Sequence, residues 1–164
     1  MNEHFYGPKT AADIEEAVAK LEKIRAGKKV VFTNGCFDLL HAGHVHLLTS
    51  ARAMGDLLVI GVNDDESVRR LGKSPGRPLN PLSERMYVLA ALECVDLVAP
   101  FSEDTPAKII EAVRPDVLVK GGDWPVDKIV GRDFVESRGG KVLSLPLLPG
   151  YSTTRIIEEI KRKA

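Results

Sequence analysis

The apolar positions of this chain fall into five short runs set between stretches of helical spacing. The runs span residues 30–33, 57–62, 95–98, 116–120 and 142–145, and Val, Leu and Ile dominate them. Continuous apolar runs of this length read as strands covered on both faces, as in a parallel sheet. Between them the period changes. Ile14, Val18, Leu21 and Ile24 trace one helical face, with Thr10 as cap, Asp13 three residues on as in a capping box, and Gly27 as stop. Leu47, Leu48, Ala51 and Met54 trace a second helix that starts near His44 and stops at Gly55. A short helix follows Asn63-Asp64-Asp65. Others are expected over 82–94, from Thr105-Pro106 to Arg114, over 132–137 and over 152–163. Pro100 is expected to end the strand before it. Strands alternating with helices predict an α/β fold with a doubly wound, mainly parallel, five-stranded sheet. In such sheets ligands sit beyond the carboxyl ends of the strands. The segment after Thr33, Asn63-Asp64, residues 120–124 and residues 150–154 all follow strands, so four loops fall on one rim.

Composition narrows the picture. A length of 164 residues, 44% hydrophobic and 28% charged, fits one domain over 1–164 with an N-terminal arm and helix over 1–27 and a core over 28–163. Lys plus Arg and Asp plus Glu balance at 23 each, which gives no support for nucleic-acid or membrane-surface binding. No apolar run approaches the roughly 20 residues of a membrane span. The N-terminus lacks the basic-then-apolar order of a signal peptide. Cys36 and Cys94 read as reduced thiols, so a cytoplasmic protein is expected. The apolar faces of the first helix and of 82–94 lead us to expect a homodimer or larger.

The chemistry concentrates in VVFTNGCFDLLHAGH, residues 30–44. A strand ends at Asn34-Gly35, and a helix begins where His41 and His44 flank Ala42-Gly43. Gly43 has no Cβ, so a phosphate or another backbone can approach. A helix start offers free N–H groups and a positive dipole end. Two imidazoles beside it can donate hydrogen bonds to phosphate oxygens, which suggests a nucleoside triphosphate site. Two other readings exist. A histidine near a helix start can be an ordinary polar residue, and His41, His44 and His46 could hold zinc, though no Cys pair or carboxylate–histidine set accompanies them. Gly150-Tyr151-Ser152-Thr153-Thr154-Arg155 opens the last helix. Ser and Thr are good caps, yet three hydroxyls exceed what capping needs. The loop over 72–81, rich in Gly and Pro, carries Lys73 and Arg77. It reads as a lid over the substrates or as a solvated connection.

His41-Ala42-Gly43-His44 resembles the HxGH signature of a nucleotidyltransferase superfamily, and NGCFDLLHAGH resembles the opening of its small cytidylyl- and adenylyltransferases. Ser152-Thr153-Thr154 resembles the second signature, so the likeness covers about residues 28–163. It implies a Rossmann-like fold and a role for His41 and His44 on the α-phosphate. It implies nucleotide contacts from Asn34, Gly35, Cys36, Phe37 and Gly43, and from Tyr151 with the hydroxyls of Ser152, Thr153 and Thr154. Lys120-Gly121-Gly122-Asp123-Trp124 resembles the segment around the nucleobase, with Trp124 or Ile129 as a wall. Trp124 could equally be core. Arg85 stands where the family has an arginine that would neutralise phosphate charge; a solvated salt-bridge residue is the alternative. Lys73 joins it among the expected catalytic groups. Asp38, Asn63 and Arg77 are expected near the second substrate, with Asp38 orienting its loop, lying near the metal or stabilising a turn. The reaction implied is attack of a sugar phosphate or phospho-alcohol on the α-phosphorus of a nucleoside triphosphate, with pyrophosphate leaving. Magnesium would bridge the phosphates with few protein ligands, which are not identified.

Within the superfamily, TNGCFDLLHAGHVHLL, GRPLNPLSER, VKGGDW and the STT-R-II ending are similar to heptose-phosphate adenylyltransferases. Leu147 stands where the glycerol-phosphate cytidylyl type has arginine. The resemblance implies ATP, carried with Mg2+, and D-glycero-D-manno-heptose 1-phosphate as substrates. The chain looks like a stand-alone transferase, with a sugar kinase encoded separately. The alternatives are an enzyme making a CDP-alcohol and a nucleotide-binding module that no longer catalyses. The last predicts loss of a signature histidine or of the hydroxyls, and both are intact.

Overall fold

The computed structural model describes residues 7–72, 76–122 and 124–163. Five strands form one all-parallel sheet: β1 (Val30–Gly35), β2 (Leu57–Asn63), β3 (Leu97–Phe101), β4 (Val117–Gly121) and β5 (Lys141–Leu145), in spatial order β3-β2-β1-β4-β5. The fold is thus α/β and Rossmann-like, with the first strand at the centre. The chain runs outward to one edge, then crosses back to fill the other. β1 pairs with β2 from Val30–Leu57 to Gly35–Val62, and with β4 from Val31–Val117 to Thr33–Val119. The strand reversal therefore lies between β1 and β4, where ligands enter sheets of this order.

Alternation along the central strands feeds two cores. Val30 and Phe32 of β1 and Leu57 and Val59 of β2 face one side. There α1 (Ile14–Ile24), α5 (Ala107–Val113) and α6 (Arg132–Ser137) contribute Leu21, Ile109, Ile110 and Val135. Val31, Leu58 and Ile60 face the other, against Leu47, Leu48 and Ala51 of α2 (Ala42–Arg52) and Met86 and Leu89 of α4 (Leu82–Ala90). Both faces being covered explains why the strands read as unbroken apolar runs. At the amino ends of the strands, three aspartates pin neighbouring backbone. Asp116 accepts from Val30 N at 2.7 Å, Asp96 from Leu58 N at 2.8 Å and Asp56 from Lys29 N at 2.8 Å. This end is built for stability, which leaves the carboxyl rim for chemistry.

Several boundaries differ from expectation. The cap of α1 is Asp13, which accepts from Glu16 N at 2.8 Å, while Glu16 reaches back to Ala12 N at 2.6 Å. Thr10 is instead paired beside Val98, where Ala11 N and Lys9 O bond the β3 backbone at 2.9 and 2.8 Å. The residues before α1 thus cover the outer edge of β3. Pro100 does not end that strand. It lies within it, opposite Val62, and an edge strand tolerates the missing donor. The helix expected over 82–94 stops at Ala90. The chain then turns through Leu92 to bury Val95, and no Gly or Pro marks that stop. Expected starts also move. α2 begins at Ala42 rather than near His44, α5 at Ala107 after Pro106, and α7 (Thr153–Lys163) at Thr153. Asp64 caps the short α3 (Asp65–Arg70), its side chain accepting from Ser67 N at 2.7 Å.

Candidate active site

A cavity of about 390 Å3 opens at the carboxyl rim between β1, β4 and the starts of α2 and α7. The loop after β1 shapes it. Phe37 adopts a left-handed φ of 48°, which turns its ring back toward Gly35, where an added Cβ would lie 3.1 Å from it. The turn delivers His41 to the cap position of α2. No side chain caps that helix and its first turn holds no acid, in contrast to α1 and α3, which carry both. The positive end of α2 is left uncompensated beside the cavity.

The rings of His41 and His44 stack at 3.9 Å between centroids, and Phe37 meets His44 edge-on at 5.3 Å. Nδ1 of each histidine is buried without a hydrogen-bond partner among the described residues. Burial, then the neighbouring His41 and Arg77, pushes His44 from its ordinary 6.5 down to about 4; burial lowers His41 too. Both rings are therefore neutral near pH 7, each with one N–H to donate. Gly43 lets the site close tightly between them. A Cβ there would lie 3.1 Å from both the His41 ring and Tyr151 Cβ, so the start of α2 packs closely against the segment that leads into α7.

Asp38 is 2% exposed and fully engaged. One oxygen accepts from Leu79 N and Asn80 N at 2.7 and 3.1 Å; the other pairs with Arg77 Nε at 2.9 Å. Asp38 thus holds the segment before α4 against the loop after β1, and Arg77 lines the cavity. Arg85 is also 2% exposed. Its guanidinium donates to the carbonyls of Cys36 at 2.6 Å, Asn63 at 2.9 Å and Asn80 at 3.0 Å, and to Asp65 at 2.7 Å. Its donors tie three loops together, and it is not among the residues lining the cavity. Asn63 Nδ2 donates to Ser67 Oγ at 3.2 Å.

On the far wall, Lys120 Nζ donates to Asn34 Oδ1 at 3.3 Å and links the ends of β4 and β1. Gly121 packs tightly under Leu47: a Cβ would fall 2.5 Å from that side chain, which would have to shift to admit it. Gly122 has φ +111° and accepts from Ser144 Oγ. Trp124 is 52% exposed and so is not core. It lines the cavity with Leu147, whereas Ile129 lies elsewhere. At α7, Ser152 Oγ accepts from Arg155 N at 3.1 Å as a cap, and Thr153 Oγ1 donates to Leu39 O at 3.5 Å. Thr154 and Tyr151 line the cavity. Lys73 and Asp123 lie outside the described residues.

A second cavity, about 240 Å3, shares Asn34, Gly35, Cys36, Lys120 and Trp124 with the first. Asn63 and Ile129 belong to it, together with Phe101 at the end of β3 and Asp104 just after it. Sequence reasoning missed these last two. The signal was available, since the end of β3 lies on the same rim as the other strand ends. Among the described residues, no three His, Cys, Asp or Glu side chains group to hold a metal. No described helix is long and apolar enough to cross a membrane.

The sequence matches the cytidylyltransferase-like family over residues 32–159. It is 58% identical over 144 residues to the bifunctional protein HldE of Alcanivorax borkumensis, covering 87% of this chain and 30% of that protein. With HldE of Azotobacter vinelandii the identity is 54% over 151 residues, covering 92% and 32%. The chain thus spans about a third of the length of these relatives. The lipopolysaccharide core biosynthesis protein of Thermoplasma volcanium superposes with TM-score 0.60 at 28% identity, covering 74% of this chain and 98% of that one. Pantothenate synthetase of Thermus thermophilus superposes with TM-score 0.62 at 20% identity, covering 95% and 70%, a likeness of fold alone.

Proposed function

Because this chain belongs to the cytidylyltransferase-like family, we propose that it transfers AMP from ATP to a sugar 1-phosphate, releasing pyrophosphate. The observation that carries this reading is the stacked, neutral His41–His44 pair beside the uncompensated start of α2. An oxygen of the sugar phosphate attacks the α-phosphorus, its bond to the β-phosphate oxygen breaks, and the electron pair leaves on pyrophosphate. The attacking phosphate is already ionised near pH 7, so the protein supplies position and charge stabilisation rather than a covalent nucleophile. His41 and His44 donate to the α-phosphate, where charge develops in the transition state. The start of α7, with no acid in its first turn, faces the β- and γ-phosphates through Thr154 and backbone N–H groups.

The donors present fit a magnesium ion that arrives on the nucleotide. Asp38 is the carboxylate among the described lining residues, and both its oxygens are engaged. Phosphates and water would then complete the metal's shell. When bound, the ion supplies charge neutralisation across the phosphates.

Gly121, Leu47, Leu147 and Trp124 leave a broad apolar wall that suits a purine. Leu147 replaces the arginine of the cytidylyl type, which favours ATP over CTP. The similarity to HldE proteins and to a lipopolysaccharide core biosynthesis protein supports D-glycero-D-manno-heptose 1-phosphate as the acceptor. We place the activity in the cytoplasm, where ATP and sugar phosphates are available and thiols stay reduced. A panel of ATP and CTP against heptose 1-phosphate and glycerol 3-phosphate, read by pyrophosphate release, tests all of this. Turnover with ATP and the heptose is expected. A preference for CTP and glycerol 3-phosphate favours the CDP-alcohol reading, and no turnover with any pair favours a silent binding module.

A further inference from the structure

The smaller cavity has a composition of its own. Leu71, Phe101, Pro106, Ile129 and Val130 give it an apolar floor. Polar groups stand at its edge: Asn63 within, and Asp104 and Lys128 on the outer rim. No described residue of α2 or α7 lines it. A concave site with an apolar bed and a few convergent polar groups suits a ligand with one apolar face and a ring of hydroxyls. A pyranose is such a ligand.

Direction of attack points to the same place. In-line displacement puts the incoming oxygen opposite the leaving pyrophosphate. The start of α7, where the pyrophosphate would leave, is in the larger cavity. The acceptor must then approach across the shared wall of Asn34, Cys36 and Lys120, with its body in the smaller cavity.

The outer rim is fastened. Arg70, at the end of α3, donates from Nε to Asp104 Oδ1 at 2.7 Å and also to the Ser102 carbonyl. This holds the segment after β3 against α3. It leaves Asp104 Oδ2 without a bond among the described residues. Asp104 is the described carboxylate on this cavity; it lies on the exposed rim and is not among the residues lining the larger cavity.

We propose that Asp104, held in place by Arg70, accepts hydrogen bonds from sugar hydroxyls at the end remote from the phosphate and so sets the specificity for the acceptor. This rests on the nucleotidyl-transfer reading above. Asp104 is the specificity residue and Arg70 the positioning residue.

The test measures pyrophosphate release with D-glycero-D-manno-heptose 1-phosphate and with mannose 1-phosphate, which lacks the seventh carbon and its hydroxyl. A polar site discriminates strongly against an analogue missing the hydroxyl it binds. Asp104→Ala is expected to raise KM for the heptose by about tenfold and to cut the heptose-to-mannose ratio of kcat/KM by about as much. KM for ATP is expected to stay within about twofold. Arg70→Ala moves acceptor KM the same way, and Arg70→Lys restores it. An unchanged ratio in Asp104→Ala, or ATP KM rising in step with acceptor KM, overturns the proposal. Wild-type protein that turns over no sugar 1-phosphate overturns the parent reading instead. Asp104→Asn, which keeps the shape of the rim, separates a lost hydrogen bond from a collapsed loop.

Discussion

His41 and His44 stack with their centroids 3.9 Å apart and their planes 20° from parallel. Burial first, and for His44 the neighbouring ring second, favours the uncharged form, so the pair is neutral near pH 7. Their buried Nδ1 atoms have no hydrogen-bond partner among the described residues.

Replacing His41 or His44 with alanine is expected to lower turnover by about 10²–10³-fold, the usual cost of a donor aimed at developing charge. ATP affinity should fall much less. Steady-state pyrophosphate release together with direct ATP titration checks this, and equal losses in both would count against the role.

Stability should fall in acid for a reason traceable to His44. Its folded pKa of about 4 lies below the ordinary 6.5, so the native state binds fewer protons than the unfolded chain between those values. The contribution is fully present above pH 6.5 and is lost as pH drops toward 4. Urea midpoints at pH 7 and pH 5 measure the loss. His44→Asn should show a smaller difference between the two pH values than wild type.

Arg85→Ala is expected to destabilise by about 2–3 kcal/mol, the range for charge-assisted hydrogen bonds left unmade. Three carbonyls, of Cys36, Asn63 and Asn80, lose their donor. A variant as stable as wild type but weakened for ATP would instead make Arg85 a phosphate ligand.

Arg77→Ala removes the partner of a carboxylate with no exposed surface. A cost of about 3 kcal/mol is expected, with faster proteolysis between α3 and α4. Adding ATP and sugar phosphate to wild type should protect this segment, since Arg77 lines the cavity. Unchanged cleavage in both comparisons would refute the coupling.

The protein is expected to sediment as a dimer at micromolar concentration. The reason differs from the sequence expectation in one half. The apolar face of α1 is engaged on β3 and α5, which leaves Val88 of α4, 47% exposed. Val88→Arg should shift the species to monomer; a wild-type monomer removes the idea.

The sheet was legible because both of its faces are covered, so β1 and β2 announce themselves as apolar runs. What escaped was set by distant partners. Pro100 reads as a terminator unless one knows that β3 is an edge. Thr10 reads as a cap because nothing local reveals its bridge to Val98. The HxGH stretch leads to the candidate cavity, since its glycine and histidines are neighbours in sequence and all line it. Arg85 reads as a phosphate ligand in the sequence alone, because its four partners in the fold, scattered from Cys36 to Asn80, are mostly carbonyls that carry no signature. Asp104 went unnoticed because no motif surrounds it.

The chain completes its core before it completes its candidate site. Val142 is the last buried apolar residue described, and Thr153 the one buried side chain after it. Tyr151, Ser152 and Thr154, which wall the larger cavity, come after nearly all of the core. A chain cut near Gly150 would keep every buried apolar residue described yet lose Tyr151, Ser152 and Thr154 from the cavity wall, so the fold can outlast the candidate site.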